Sequence, residues 1–321
     1  MNEEIMVSIN CITYNQEAYI SDAIESFLMQ KTNFKYEILI HDDASTDNTT
    51  SIIKKYEMKY PDIIKPIYQK ENKYSKGIEV NYEYNFKRSK GKYIALCEGD
   101  DYWTDPYKLQ KQVDYMEANP ECTLCMHSVE LVNATTNKVI GLINPYSYST
   151  KSSIEDVIMG GGEFIGTNSI LFPKNVFENP PKWYFNCPVG DYPLQILLAY
   201  KGYAYYIDES MSVYRTMSEN SWSKRIINGG VKKYIELNDK LNLMLDEFNF
   251  YSNNKYNEYI NTRQKMNSFN KLMAINDLKG LQSPEFKNFY TELDRKSKIK
   301  LFIKYYIPIS SKLIGYLRSK L

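Results

Sequence analysis

The sequence has no long hydrophobic run and almost no net charge. No apolar stretch approaches the ~18 residues of a membrane-spanning helix. The amino terminus, MNEEIMVSINC, lacks the basic start and apolar core of a signal peptide. The formal net charge of +1 argues against a dedicated nucleic-acid binder, because such domains carry a strong basic excess. These absences favour a cytoplasmic globular protein without a nucleic-acid partner.

Cysteine and histidine are also scarce, with five and two residues among 321. The cysteines are odd in number and irregularly spaced, which favours free thiols in a reducing compartment. Cys122-x-x-Cys125 with His127 has no second ligand pair and lies in a strand-like segment, so we do not interpret it as a zinc site. The absence of a Gly-x-Gly-x-x-Gly or Walker loop excludes the usual dinucleotide and triphosphate sites.

The first hundred residues alternate between short apolar runs and helical periodicity. Strands are predicted at residues 6–12, 36–41, 63–68 and 93–97, and helices at 16–30, 47–59 and 78–89. Continuous apolar strands separated by helices indicate a mostly parallel sheet with helices on both faces. The fold class is therefore α/β. A helix over 106–118, strands within 123–143, a strand after Gly160–Gly162, a helix from Asp191 and two short strands in 203–216 continue the pattern.

The pattern becomes helical after about residue 225, which predicts a main domain over 1–225 and a helical appendage over 226–321. Residues 231–306 contain one glycine, Gly280, and one proline, Pro284. The segment 295–321 carries lysine and arginine but no acid, with apolar residues at helical spacing. Such a basic amphipathic helix suits the surface of an anionic membrane. The alternative is an ordinary helical cap with a solvated charged face.

Polar residues follow three of the predicted strands, as Thr13–Asn15, Asp42–Asp43 and Glu98–Asp101. Because parallel strands end at the same edge of a sheet, where ligands bind in such folds, these residues should converge. Three carboxylates within "EGDD" repel one another unless a cation offsets them. A divalent metal would bind these acids and a diphosphate together. The alternative is a solvated turn, although the adjacent Trp103 indicates a shaped pocket.

The segment "HDDASTDNTT" offers a second acidic strand end. Asp42 and Asp43 are suited to accept hydrogen bonds from a base or a ribose, whereas Asp47 suits a helix N-cap. Tyr14 is placed either to stack on a base or simply to pack.

The order of these pieces resembles a known family. "INCITYNQEAYISDAIESFLMQ", "YEILIHDDASTDNTTSII" and "GKYIALCEGDDYWTDPYKLQKQV" are together similar to the family 2 nucleotide-sugar glycosyltransferases with the GT-A fold. The resemblance is strong over residues 5–120 and weaker to about residue 225. It implies a Rossmann-like central sheet, a UDP-sugar donor and Mn²⁺ or Mg²⁺ as cofactor.

The resemblance also implies roles for the donor site. Tyr14 and Asp42 or Asp43 would hold the uracil and ribose, with Thr13 and Asn15 beside them. Asp100 and Asp101 stand at the DXD metal acids, with Asp101 expected to be the better ligand and Glu98 as the outer acid. Trp103 would line the donor pocket.

Two later segments have counterparts in the family. Asp191, in "PVGDYPLQILLAYKG", matches the catalytic base, although an N-cap role is the alternative. Arg215 would face the diphosphate or form a structural ion pair, and Met217 replaces a histidine found in many relatives. The Gly160–Gly162 loop, with Thr167 and Asn168, would lie near the acceptor or be a plain loop.

The resemblance therefore implies an inverting transfer from a UDP-sugar to an acceptor hydroxyl. The expected acceptor is a glycan, usually lipid-linked, in capsule or O-antigen synthesis, with the enzyme peripheral on the inner face of the cell membrane. Two alternatives are a protein or teichoic-acid acceptor, and a non-catalytic nucleotide- or carbohydrate-binding module.

Overall fold

A computed structural model describes residues 4–218 and 221–306. The described residues fall into two compact units, one ending at Arg225 and the other beginning at Ile226. All strands of the described residues lie in the first unit. No helix in these ranges is long and apolar enough to span a membrane.

The strands are β1 Ile5–Thr13, β2 Lys35–Asp42, β3 Ile64–Tyr68, β4 Tyr93–Leu96, β5 Tyr102–Trp103, β6 Cys122–Asn133, β7 Lys138–Ile143, β8 Thr150–Ser152, β9 Leu171–Pro173 and β10 Tyr203–Thr216. The α-helices are α1 Ile20–Leu28, α2 Thr49–Lys59, α3 Lys108–Ala118, α4 Ile154–Gly160, α5 Lys182–Phe185, α6 Asp191–Lys201, α7 Trp222–Asn228, α8 Gly230–Tyr251, α9 Asn257–Ile275, α10 Leu278–Leu281, α11 Lys287–Glu292 and α12 Arg295–Tyr306.

The strands form one mixed sheet in the order β3-β2-β1-β4-β9-β6-β10-β5. The first four neighbours are parallel, β6 and β10 are also parallel, and β9 runs antiparallel between the two groups. The carboxyl ends of β1, β2 and β4 therefore lie along one edge, as the sequence predicts. The predicted α/β fold is confirmed.

The core follows directly from the apolar periodicity. In α1, Ile20, Ala23, Ile24 and Phe27 recur at helical spacing and are fully buried. They pack against Val7, Ile9 and Cys11 of β1, and the opposite face of this strand carries the buried polar residues Ser8 and Asn10. This packing fixes the position of the loop that follows β1.

Two predicted elements differ in the structure. The helix expected over 78–89 is a π-helix limited to Asn81–Phe86, and Asn85 within it donates its side-chain amide to the carbonyl of Cys11 at 3.2 Å. The two short strands expected over 203–216 are the single strand β10. Its pairing with β6 shifts register between Ile207 and Ser212, which breaks the apolar alternation in the sequence.

The second unit contains the hairpin of α8 and α9 and a small apolar cluster. Phe269, Leu281, Phe286 and Leu301 form this cluster. Only 295–306 of the predicted basic tail is described, as α12, and residues 307–321 lie outside the described residues. Leu301 faces the cluster, whereas Ile299, Phe302 and Ile303 are 49%, 55% and 38% exposed.

A lysine lies in the core of the first unit. Lys108 is fully buried, donates to Gln112 Oε1 at 2.7 Å, and places Nζ 4.2 Å from the centroid of the Trp103 ring. Burial lowers the pKa of Lys108 to about 7. The charged form of this side chain therefore costs stability at neutral pH.

Lys108→Met should make stability less dependent on pH. The folded pKa of Lys108 lies below the unfolded value, so the cost is complete below pH 7 and declines as the pH rises above it. The free energy of unfolding of the native protein should rise, relative to K108M, by up to about 1.4 kcal/mol per pH unit above neutrality. Urea unfolding at several pH values measures this difference. The exposed-lysine variant Lys55→Met is the control, and a pH-independent difference between native protein and K108M would contradict the prediction.

Candidate active site

The loops that follow β1 and β2 are joined by hydrogen bonds. The backbone N of Asn15 donates to Ser45 Oγ at 2.9 Å, and the backbone N of Thr46 donates to Asn15 Oδ1 at 2.7 Å. Asn15 and Ala44 adopt positive φ angles of 52° and 65°, which non-glycine residues rarely occupy. The two strand ends are thereby held as one edge.

The end of β1 also packs closely against the acidic loop after β4. Thr13 is buried, and its hydroxyl donates to Gln16 Oε1 at 2.7 Å. A Cβ atom on Gly99 would come within 2.6 Å of Gln16 Oε1 and 2.8 Å of Thr13 Oγ1. The glycine in "EGDD" is therefore required by close approach to these side chains. Tyr14, between these contacts, is partly exposed.

Asp42 and Asp43 are both buried and make different contacts. Asp42 Oδ1 accepts the backbone N–H of Ser45 at 3.0 Å, and Oδ2 accepts the hydroxyl of Thr50. These bonds close the turn into α2. Asp47, predicted as an N-cap, accepts the backbone N–H of Thr49 at 2.9 Å.

Asp43 organises the loop that follows β3. Its two carboxylate oxygens accept the backbone N–H groups of Lys73 at 2.7 Å and Tyr74 at 3.0 Å. Each carboxylate oxygen has a second acceptor position, so these bonds leave room for a ligand. Asp43 therefore joins the end of β2, where the sequence predicts nucleotide binding, to the loop that contains Tyr74.

Asp101 is an internal structural group. It is 2% exposed; Oδ1 accepts the backbone N–H of Arg215 at 2.8 Å, and Oδ2 accepts the side-chain amide of Asn168 at 3.1 Å. Each oxygen of Asp101 already accepts one hydrogen bond from the protein and the side chain is almost wholly buried, so its role as the better metal ligand stays a prediction.

Glu98 and Asp100 are the other two acids after β4, and together with Asp191 they define the candidate cleft. Asp100 Oδ2 accepts the hydroxyl of Ser218 at 2.6 Å, and Glu98 is partly exposed. Burial, together with the charges of Asp100 and Asp191, raises the pKa of Glu98 to about 8. Burial also raises the pKa of Asp100. Raised pKa values at adjacent acids show that negative charge here lacks sufficient compensation from the protein.

A divalent metal fits this pair of acids. Within residues 4–218 and 221–306, no three His, Cys, Asp or Glu side chains converge as a complete metal site. Mg²⁺, however, is typically held by one or two carboxylates together with substrate phosphates. Glu98 and Asp100 supply such oxygen ligands, so the donor set fits Mg²⁺ or Mn²⁺ bound with a diphosphate.

Asp191 lies near Glu98. It is the first residue of α6, and its Oδ1 accepts the backbone N–H of Tyr192 at 2.7 Å. Burial raises the pKa of Asp191, and its charge contributes to the raised pKa of Glu98. A carboxyl with a raised pKa is a stronger base once ionised, which suits proton abstraction.

Trp103 does not line the cleft. It is 1% exposed, packs edge-on against Phe27 with ring centroids 4.9 Å apart, and donates Nε1–H to the carbonyl of Asn168 at 2.9 Å. The expected ligand contact of Trp103 is corrected, since the ring belongs to the hydrophobic core beneath the acidic loop.

Arg215 is committed to contacts within the protein. Nη1 donates to the carbonyl of Asp100 at 2.9 Å, and Nη2 forms an ion pair with Asp22. The guanidinium lies 4.4 Å from the ring centroid of Tyr102 and 5.1 Å from that of Tyr19. Of the two alternatives predicted for Arg215, the structural ion pair is the arrangement observed.

The loop expected near the acceptor divides into two parts. A Cβ atom on Gly162 would lie 3.7 Å from the Cβ of Tyr192, so this glycine lies beside the start of α6. Asn168, in contrast, is fully buried and also donates to the carbonyl of Val213 at 2.8 Å. Asn168 therefore holds Asp101 through a hydrogen bond and is too deeply buried to contact an acceptor.

Sequence reasoning missed two charged residues near the cleft. Arg225 is exposed, lies 5.2 Å from the centroid of the Tyr74 ring, and partly offsets the raised pKa of Glu98. Glu79 lies beside Gly190, immediately before Asp191. Neither belongs to a motif next to a strand end, so no local pattern indicates them.

Two solved structures share this fold. TarS of S. aureus in complex with UDP-GlcNAc superposes with a TM-score of 0.62 at 15% identity, covering 88% of this chain and 79% of that chain. The mannosyltransferase PcManGT from Pyrobaculum calidifontis, in complex with GDP-Man and Mn²⁺, gives 0.55 at 14% identity, covering 95% and 85%. The chain thus has the predicted GT-A fold.

The family model described as "Glycosyl transferase family 2" matches residues 8–169, and the chain belongs to this family. An uncharacterized protein of Mycobacterium tuberculosis is 37% identical over 225 residues, 67% of this chain and 60% of that protein. The chain therefore spans less than two thirds of that relative's length. WfaP of Escherichia coli, a UDP-Glc:alpha-D-GlcNAc-diphosphoundecaprenol beta-1,3-glucosyltransferase, is 38% identical over 112 residues, 35% of this chain and 41% of WfaP.

The neighbouring acids Asp100 and Asp101 should respond differently to amidation. Asp101→Asn would place an amide N–H₂ against the Asn168 amide, which already donates to the carbonyl of Val213. We expect a loss of about 1–3 kcal/mol in the free energy of unfolding. Asp100→Asn keeps an oxygen for Ser218 and should lower stability much less. Chemical denaturation compares the two variants, and equal losses would contradict the assignment of Asp101 as the structural acid.

Proposed function

We propose that the protein transfers a sugar from a UDP-sugar to an acceptor hydroxyl with inversion at the anomeric carbon. The observation that carries this proposal is the shared cleft of Glu98, Asp100 and Asp191. Two acids follow β4, a third begins α6, and the charge of Asp191 contributes to the raised pKa of Glu98. A diphosphate site and a base on one cleft are what a single displacement requires.

The donor diphosphate would be held through Glu98 and Asp100 with Mn²⁺ or Mg²⁺. The metal supplies positive charge that offsets the charge of the departing UDP. Ser218 fixes one oxygen of Asp100, and Arg215 fixes its backbone carbonyl, so this acid is oriented by the protein before the donor binds. The Mn²⁺ complex of PcManGT supports the choice of metal.

The uridine would lie along the ends of β1 and β2. We propose that Tyr14 contacts the base and that Asp42 and Asp43, with their remaining acceptor positions, face the uracil and ribose. Thr13 and Asn15 shape this edge through their hydrogen bonds to Gln16 and Thr46. The bound UDP-GlcNAc of TarS supports uridine as the nucleoside class.

Asp191 would act as the general base. It accepts the proton of the acceptor hydroxyl as the oxygen attacks the anomeric carbon, while the bond to UDP breaks. Attack from the face opposite the leaving group inverts the configuration. The raised pKa of Asp191 strengthens it as a base without requiring a histidine partner.

For the acceptor we propose a lipid-linked glycan of a bacterial surface polysaccharide, either capsule or O-antigen. The activity named for WfaP, which uses such an acceptor, supports this choice. Transfer to a protein or to teichoic acid is the alternative. A non-catalytic binding module would bind UDP-sugars without releasing UDP.

We further propose that residues 1–225 form the catalytic domain and that residues 226–321 attach it to the inner face of the cell membrane. The basis is α12, whose exposed side includes Ile299 and Ile303 together with the exposed Lys296 and Lys300. An exposed apolar side flanked by lysines suits an anionic lipid surface.

The first test is a thermal-shift panel of UDP-, GDP- and dTDP-sugars, each with and without Mn²⁺. Binding at about one hundred times the dissociation constant stabilises a protein by about 2.7 kcal/mol, which raises the midpoint measurably. We expect a metal-dependent shift with UDP-sugars. No shift with any nucleotide would contradict the donor site at Glu98 and Asp100.

Asp191→Asn serves as the matched variant in this test. UDP binding should survive, because Asp191 is not among the proposed diphosphate ligands, whereas UDP release during transfer should fall about 10²- to 10⁴-fold. Turnover retained in D191N would remove Asp191 as the base. Donor binding without any UDP release by the native protein would favour the binding-module alternative.

Membrane attachment predicts a charge effect at α12. Lys296→Glu with Lys300→Glu should weaken binding to anionic liposomes by at least about 2 kcal/mol, roughly thirtyfold, because each lysine near the surface contributes about 1 kcal/mol. Co-sedimentation with phosphatidylglycerol vesicles measures this. Lys233→Glu with Lys240→Glu, on exposed positions of α8, is the charge-matched control. Equal binding by both double variants and the native protein would exclude α12 as the contact.

A further inference from the structure

A second carboxyl group lies next to the candidate base, contributed by a distant part of the chain. Glu79 lies between β3 and β4, yet its Oε1 is 3.3 Å from the position that a Cβ on Gly190 would occupy. Tyr184 Oη lies 3.7 Å from the same position. The absence of a side chain at Gly190 therefore leaves space that Glu79 and Tyr184 border, directly before Asp191.

Aromatic rings pack against one another in the segment that precedes Asp191. The ring centroids of Tyr184 and Phe185 are 5.1 Å apart, and Tyr82 lies 5.1 Å from Phe185. Tyr184 is 2% exposed, whereas Phe185 is 43% exposed at the end of α5. Phe185 therefore presents apolar ring surface to solvent while Tyr82 and Tyr184 hold it in place.

Backbone N–H groups of Tyr82 and Asn81 hold the Glu79 carboxyl at the start of the π-helix. Its Oε2 accepts the backbone N–H of Tyr82 at the start of the π-helix, whereas Oε1 faces Gly190. Burial raises the pKa of Glu79 to about 7. The carboxyl group can thus accept or donate a hydrogen bond to a hydroxyl near neutral pH.

We propose that Glu79 and Phe185 form a subsite for a pyranose ring of the acceptor, next to Asp191. Ring hydroxyls would bind the Glu79 carboxyl, and the apolar C–H face of the sugar would pack on Phe185. This inference rests on the proposed function, since Asp191 must contact the acceptor hydroxyl. It defines the acceptor as a sugar residue rather than an isolated alcohol.

The position of these residues in the chain favours an acceptor sugar over the donor sugar as the ligand of the subsite. The proposed diphosphate ligands follow β4, whereas Phe185 and Gly190 belong to the segment that leads into Asp191. A sugar of the donor remains the other possible source of the same hydroxyl chemistry. The two sources differ in whether Glu79 affects binding of UDP-sugar or binding of a separate glycoside.

The test is saturation-transfer difference NMR with methyl glucoside, methyl galactoside and methyl N-acetylglucosaminide, in the presence of UDP and Mg²⁺. The native protein should bind at least one glycoside. Glu79→Gln keeps an oxygen for Tyr82 N–H and should still weaken glycoside binding about tenfold. Phe185→Ala should weaken it about fivefold. Phe250→Ala, at an 83% exposed phenylalanine of α8, should leave it unchanged.

Moving the carboxyl group from residue 79 to residue 190 tests whether Glu79 binds the glycoside or only stabilises the fold. Gly190 has a φ of −91°, which accommodates a side chain. Glu79→Ala combined with Gly190→Glu should recover glycoside binding that Glu79→Ala alone loses, because the Cβ of the new side chain would lie 3.3 Å from the position of Glu79 Oε1. Failure of this rescue, with both variants folded by circular dichroism, would count against the subsite.

Calorimetry with UDP and UDP-sugars on the same variants distinguishes the remaining outcomes. UDP binding by the native protein without any glycoside signal would overturn the subsite alone. Absence of UDP binding would overturn the proposed function together with it. A loss confined to UDP-sugar binding in Glu79→Gln would assign the carboxyl to the donor sugar and overturn the acceptor assignment.

Discussion

Repulsion among carboxylates at the end of β4 is the constraint on which the site depends. Placing Glu98, Asp100 and Asp101 within four positions is costly when they are buried. Asp101 accepts hydrogen bonds from the Arg215 backbone N–H and from Asn168, yet burial still raises its pKa well above the usual range, and the pKa of Glu98 is raised to about 8. The proposed donor would bring a metal that meets this demand for positive charge, so the repulsion among the acids would favour donor binding.

The elements around this loop are arranged to hold the acids in place. Trp103 and Lys108 fill the core beneath it, and Gly99 allows the end of β1 to approach within contact distance. Asn168 joins Asp101, Trp103 and β10 through hydrogen bonds from its side chain and to its carbonyl. Core packing and the candidate site are therefore not separable here, because the residues that bury the loop also set its geometry.

The sequence predicts much of this fold because the relevant signals are local. Apolar periodicity identifies β1, α1 and β2, and the parallel order brings their polar ends together. The same signals do not give side-chain direction. Asp101 and Trp103 follow the correct strand, yet both point into the protein, and only the contacts with Asn168 reveal this. The π-helix and the bulged β10 likewise depend on tertiary contacts with Cys11 and β6.

Glu79 shows the corresponding limit for the site itself. Along the chain, the start of α6 supplies one acid, Asp191, and Gly190 before it has no side chain. In space, Glu79 Oε1 lies 3.3 Å from where a side chain on Gly190 would begin, so the connection between β3 and β4 brings a carboxyl group beside that position. Which side chains lie near Asp191 therefore depends on the three-dimensional fold and not on a local sequence motif. A substitution at either residue has to be judged against the other, since the space that one leaves is the space that the other uses.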